Sequence, residues 1–184
     1  FQGTEDVELD DVGVVQAARA ATMLAALGPT AIVSSDLVRA RSTAEALSQV
    51  TGVPVDVDAD LRETYAGTWQ GMHRADLDRD HAADLLAWSR GDDVRPGGGE
   101  TRAEVAERMV RAIDRALAGV HQGGTLVVVT HGGAARVAIG APGLAAPPLV
   151  SDLVVSRTNQ PATEAELGVL RIVYEAALAG ERSA

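Results

Sequence analysis

Apolar residues at Val12, Val15, Ala18, Met23 and Leu27 recur at roughly helical spacing through residues 11–27, and Gly28-Pro29 stops the run. The pattern predicts a first helix there. Ala31-Ile32-Val33-Ser34 follows as a short buried strand, residues 37–50 read as a second helix ending at Gly52, and Pro54-Val55-Asp56-Val57-Asp58 reads as the next strand. A loop rich in glycine and polar groups extends to about residue 72, before a helical stretch holding Leu77, Leu85, Leu86 and Trp88. Arg95-Pro96-Gly97-Gly98-Gly99 breaks the chain. Thr101 and Glu104 then form a capping-box signature for a helix to about Ala118, with Val105, Met109, Ile113 and Leu117 at every fourth position. Thr125-Leu126-Val127-Val128-Val129-Thr130 is a continuously apolar strand, as expected of one buried on both faces. A short helix from Gly133 to Gly140 and a closing hairpin, Ala162 to Leu167 and Val169 to Glu175, complete the pattern.

Strands alternating with helices of these lengths predict an α/β fold, a three-layer sandwich with a mostly parallel central sheet. Ligands of such sheets bind beyond the carboxyl ends of the strands. The segments leaving the three central strands are Ser34 to Arg39, Leu61 to Thr64, and His131-Gly132-Gly133. An arginine, a glutamate and a histidine therefore reach one rim. A parallel sheet entered by the helix at 11–27 also calls for a strand before that helix, yet residues 1–10 are polar and turn-like. A strand upstream of Phe1 is the expectation, within one domain spanning residues 1–184.

Composition narrows the chemistry. Hydrophobic residues make up 46% of the chain but aromatics only 3%, so Val, Leu, Ile and Ala must build the core. With no cysteine, disulfides, a thiol nucleophile and Cys-ligated zinc are excluded. A net charge of −10 disfavours nucleic acid as a partner, while a small anion suits a few converging arginines. There is no apolar run of about 18 residues and no basic leader, which makes no membrane partner and a cytoplasmic location the default expectation.

Each candidate residue has a bland reading beside a functional one. His131 at a strand end is a structural histidine or, with two glycines opening the following backbone, part of an anion site. Arg39 is a solvated helix arginine, the reading preferred for Arg41, or a planar fork for phosphate oxygens. Glu63 is a surface partner of Arg62 or Arg39, or a general acid. His73, His81 and His121 read as surface residues, with His73 alone near the rim. Tyr65, Trp69 and Trp88 line a pocket or, as is commoner at this spacing, pack a core. Asp56, Asp58 and Asp60 alternate like calcium ligands, but they lack the glycine and distal glutamate of that loop, so no metal is expected.

The stretches Gln2-Gly3 with Asp6 and Leu9 to Gly13, Ser34 to Ala44 (SSDLVRARSTA), Leu61 to Gly71 (LRETYAGTWQG), Gly97 to Glu100 (GGGE) and Val129 to Gly133 (VTHGG) together resemble the histidine phosphatase superfamily, in its phosphoglycerate-mutase-like branch. The resemblance implies a phosphohistidine mechanism without cofactor. By position, Arg39 is a phosphate-pocket arginine, His131 the second pocket histidine, Gly132 a backbone phosphate donor and Glu63 the proton donor, with Gln2 and Gly3 at the substrate. The family's nucleophile lies in an Arg-His-Gly motif, which occurs nowhere in these residues. The resemblance implies hydrolysis of a small phosphomonoester of the sugar phosphate or phosphoglycerate type. It is closest to actinobacterial members, among them phosphatases of glucosyl-phosphoglycerate. Mutases of the family carry a longer insertion than the roughly 35 residues between Glu63 and the GGGE motif. A phosphoglycerate mutase and a non-catalytic phosphate-binding module are the alternatives, and a homodimer stays open.

Overall fold

The structure, a computed structural model, describes residues 2–139, 149–150 and 172–173. The chain enters through α1 (Asp11–Ala25), whose first turn is held by the Asp10 carboxylate accepting from Gly13 N at 2.7 Å. β1 (Ala31–Ser34), α2 (Val38–Thr51) and β2 (Val55–Val57) follow, and α2 ends on Gly52 at φ 75°. The loop after β2 contains two short 3-10 turns, Ala59–Leu61 and Gly67–Trp69. Then come α3 (Arg74–Asp80), α4 (Ala82–Arg90), a third 3-10 turn at Pro96–Gly98, α5 (Arg102–Leu117), β3 (Leu126–Val129) and α6 (Gly132–Ile139). Two short strands come last among the described residues, β4 (Leu149–Val150) and β5 (Ile172–Val173).

The sheet order is β2-β1-β3-β5-β4. β1 lies parallel to both β2 and β3, with Ile32 opposite Val55 and Val127, and Ser34 opposite Val57 and Val129. β5 runs antiparallel to β3 and β4, so the central sheet is mixed with a parallel core. Alternation along the strands sorts the core into two halves. Ile32 and Val127 point to one face, where they meet Ala21 and Leu24 of α1 and Ala44 and Leu47 of α2. Val33, Leu126 and Val128 point to the other, where Val105, Met109 and Ile113 of α5 and Ala134 and Ala138 of α6 cover them. This is the three-layer α/β sandwich.

α5 starts with the full capping box: Thr101 Oγ1 accepts from Glu104 N, and the Glu104 side chain accepts from Thr101 N. Two expectations need correction. The helical stretch around Leu77 to Trp88 is two helices broken at His81, whose φ of −136° is not helical. His81 is not purely a surface residue, since its ring lies 5.8 Å from that of buried Trp69. The hairpin expected at 162–175 lies outside the described residues apart from Ile172–Val173, which pairs with Leu149–Val150.

Candidate active site

β1 and β3 are neighbours and parallel, so their carboxyl ends open side by side. Ser35 N extends the ladder by donating to Val129 O at 2.9 Å, and Thr130 Oγ1 donates to Leu61 O at 2.7 Å. The first bond joins the exits of the two strands, and the second ties β3 to the loop that carries Glu63. His131 sits at the junction, 8% exposed, with Nε2 2.8 Å from Ser35 Oγ. Ser35 is fully buried and its Oγ also accepts from Leu37 N at 3.3 Å. Burial, followed by the positive charges of Arg39 and Arg108, pushes the His131 imidazole from its ordinary 6.5 down to about 3, with Asp36 opposing. The ring is therefore neutral at physiological pH.

The Glu63 carboxylate reaches across to the start of α6. Oε1 accepts from Thr64 N at 2.8 Å and Ala134 N at 2.9 Å, and Oε2 accepts from Gly133 N at 3.0 Å. The two N–H groups at the helix start have no intrahelical partner, so an anion is what they bind best. A Cβ on Gly133 would stand 2.5 Å from Glu63 Oε1, so a side chain there would push the carboxylate aside. Gly132, one residue earlier, has no acceptor for its N–H among the described residues.

Arg39, in the first turn of α2, is 6% exposed. Its guanidinium donates to Glu5 O at 2.6 Å and Gly3 O at 2.9 Å, using two of its five N–H donors among the described residues. Burial lowers its pKa, and the nearby negative charges of Glu63 and Asp6 oppose that shift. Asp6 supplies the cap that Leu37 cannot, its Oδ1 accepting from Val38 N at 2.6 Å. Thr4 adds two bonds to Gln70 Oε1, both 2.8 Å. Gly3 is buried at φ 56°, and a Cβ on it would fall 2.4 Å from the same Gln70 oxygen. Residues 3–6 thus form a strap laid against Arg39.

The structure therefore brings Arg39, Glu63, His131 and Gly132 together and places Gly3 behind Arg39, with the partly buried Gln2 turning the chain through its carbonyl to Glu5 N. Glu63 does not pair with Arg62, which binds Asp36 through two hydrogen bonds instead. His73 and His121 are exposed. Trp69 is core, packed with Leu77 and Leu85, and Trp88 rests on that cluster. Asp58 and Asp60 pair with Arg115 rather than facing an open site.

The profile of the histidine phosphatase superfamily, branch 1, matches residues 1–147. The chain belongs to that superfamily. A glucosyl-3-phosphoglycerate phosphatase of Mycolicibacterium vanbaalenii is 42% identical over 141 residues, which cover 72% of this chain and 62% of the relative. The chain thus spans less than two thirds of that relative's length. A metal-independent phosphoserine phosphatase of Arabidopsis thaliana is 34% identical over 140 residues, 74% of this chain and 58% of the relative. Among solved structures, a mycobacterial glucosyl-3-phosphoglycerate phosphatase in complex with inorganic phosphate superposes with a TM-score of 0.72 at 38% identity, covering 78% of this chain and 75% of that one.

The depressed pKa of His131 makes a prediction for this superfamily member independent of catalysis. Its folded-state value lies below the unfolded one, so the unfolded chain binds the extra proton first. Stability from this residue is complete above about pH 6.5 and drains away as pH falls towards about 3. Urea midpoints measured between about pH 6.5 and about pH 5 should fall, and the fall should flatten in His131→Asn. An unchanged slope in that variant would show that His131 is not buried neutral.

Proposed function

We propose that the protein is a phosphomonoesterase, with Arg39, His131 and Gly132 binding the transferred phosphoryl group and Glu63 exchanging the proton. The observation that carries this reading is the buried neutral His131 set beside a buried arginine with three N–H donors uncommitted among the described residues and a Gly132 N–H uncapped among them. Neutral imidazole, guanidinium and a helix-start amide all donate to phosphoryl oxygens and stabilise the charge of the transition state. In the mechanism implied by the superfamily, a histidine nitrogen attacks phosphorus. The ester P–O bond breaks with its electron pair going to the leaving oxygen, and a carboxylic acid supplies that oxygen's proton. Water then attacks phosphorus, cleaving the P–N bond, and gives a proton back to the carboxylate, releasing phosphate and free histidine.

The hydrogen bonds of Glu63 differ between its two oxygens, which supports one of them as the proton carrier. Both lone pairs of Glu63 Oε1 are taken by Thr64 and Ala134, whereas Oε2 accepts from Gly133 alone. Oε2, the less committed oxygen among the described residues, is the one this reading gives the transferable proton. Glucosyl-3-phosphoglycerate is the substrate that the relatives favour, since the glucosyl-3-phosphoglycerate phosphatase compared is 42% identical, against 34% for the phosphoserine phosphatase. Hydrolysis without a metal fits the metal-independent relative. The short interval filled by α3 and α4 favours hydrolysis over a mutase's phosphoryl exchange.

A second reading is a non-catalytic phosphate binder, which the same buried arginine and helix-start amide would also serve. Trapping the phosphoenzyme decides between them. The enzyme, mixed with a phosphate ester and quenched without acid, should carry phosphohistidine on the histidine of an Arg-His-Gly strand and none on His131. A phosphoryl group found on His131 would make that residue the nucleophile instead of an oxygen-binding group, and a complete enzyme that is never phosphorylated would leave only the binding module.

A further inference from the structure

A second buried arginine, Arg108, grips the loop that carries Glu63. Arg108 projects from the core-facing stripe of α5, 8% exposed among Val105, Met109 and Ala112. All five of its N–H donors are used. Nε donates to Glu100 Oε1 at 2.8 Å and Nη2 to Glu100 Oε2 at 3.0 Å, a two-point pairing of fork and carboxylate. The other three go to backbone carbonyls: Nη1 to Asp60 O at 2.8 Å and Arg62 O at 2.6 Å, Nη2 to Glu63 O at 3.0 Å. Each of those carbonyls belongs to the few residues that bring Glu63 to the rim.

Glu100 holds the same segment from its far end. Its Oε2 accepts from Tyr65 N at 2.8 Å, and its own N–H donates to Tyr65 O at 2.8 Å. The chain packs so closely there that a Cβ on Gly99 would stand 1.9 Å from Tyr65 O. Glu63 is thereby bracketed, by Arg108 on residues 60–63 and by Glu100 on residue 65. An ordinary buried ion pair would need none of these five backbone bonds to one loop.

We propose that Arg108, locked to Glu100, is a positioning residue that fixes the backbone of the Glu63 loop and so aims the Glu63 carboxylate at the leaving oxygen. The inference rests on the role of Glu63 under the proposed function. Proton transfer depends on a reach of about 2.6–3.2 Å, and misplacement by about 1 Å costs on the order of 100-fold. A lysine cannot replace the fork, because its three donors radiate from one nitrogen and cannot span Glu100 and three carbonyls.

The test uses the full-length enzyme with Arg108→Lys and Glu100→Gln, the second keeping hydrogen-bonding groups in place so that the fold survives if the first variant is unstable. Turnover is measured on alkyl phosphates, which need leaving-group protonation, and on activated aryl phosphates, which do not. Arg108→Lys should lower kcat on alkyl phosphates by about 10-fold or more, on aryl phosphates by less than about 3-fold, with KM within about twofold. Glu100→Gln should show the same split, smaller in size. Equal loss on both substrate classes, or no loss in either variant, would overturn the proposal. A second readout does not depend on turnover. Amide exchange at Thr64, Gly133 and Ala134, the donors to Glu63, should quicken by about 10-fold in Arg108→Lys relative to the core amides of α5. Unchanged exchange there would overturn the positioning role. If the wild-type enzyme hydrolysed no phosphate ester, the proposed function would fail by itself, and amide exchange would still decide whether Arg108 sets the loop.

Discussion

Glu63→Gln is expected to lower turnover of alkyl phosphates by about 100-fold or more, with a much smaller loss on activated aryl phosphates. The amide has no transferable proton, and an alkoxide leaving without one is the slowest route through the reaction. Aryl oxides leave unaided, so the split in substrates identifies the missing proton rather than a damaged pocket. Geometry adds a second effect in the same place. An amide oxygen can accept from Thr64 and Ala134 as Oε1 does, but the NH2 group then faces Gly133 N–H, two donors about where one bond of 3.0 Å stood. Steady-state kinetics over a leaving-group series provide the measurement. Equal losses across the series would mean that Glu63 only anchors the start of α6.

Arg39→Met should weaken phosphate binding by about 100-fold or more, seen as a raised KM and a weaker competitive inhibition by inorganic phosphate. Hydrogen bonds to charged groups contribute about 1.5–3 kcal/mol each, and the fork loses at least two to the ligand. The variant also strands the carbonyls of Gly3 and Glu5, now without their donors. Arg41→Met is the control. That side chain is exposed and pairs with Glu45 one helical turn on, so its removal should leave KM unchanged. Comparable losses in both variants would point to overall charge as the source of binding.

Much of this site could be read from the sequence because the rule that exposes strand ends is local. The continuous apolarity of Leu126 to Val129 fixes a buried strand, and whatever follows it must emerge at the rim, which places His131 and Gly132. The same reasoning places Arg39 after β1. What escapes is what depends on distance along the chain. Glu63 caps α6 from 70 residues away, and no spacing rule links a loop carboxylate to a glycine pair so remote. Asp6 likewise caps α2 from 32 residues upstream. Ser35 gives no signal, since a serine beside a strand end reads first as part of a helix cap.

Arg108 does leave a trace in the sequence. It lies three residues after Val105 and four before Ala112, on the buried stripe of α5, where a cation needs a partner. An arginine in the middle of an apolar face, eight residues after a glutamate in a glycine-rich turn, is a sequence signal for a buried pair. The break between α3 and α4 has no such mark. No proline or glycine separates Asp80 from Ala82, and the ring contact of His81 with Trp69 is a tertiary one. Periodicity alone reads through it.

A titration of the 184-residue chain with inorganic phosphate, followed residue by residue by nitrogen-15 NMR, tests the central claim most directly, because binding needs no nucleophile. A phosphoryl-binding site at the ends of β1 and β3 requires the strongest shifts at the Gly132 amide, the Arg39 Nε–H and the His131 ring, with the imidazole staying neutral at neutral pH. Shifts confined to exposed arginines such as Arg41 and Arg111, with those three groups unmoved, would contradict it.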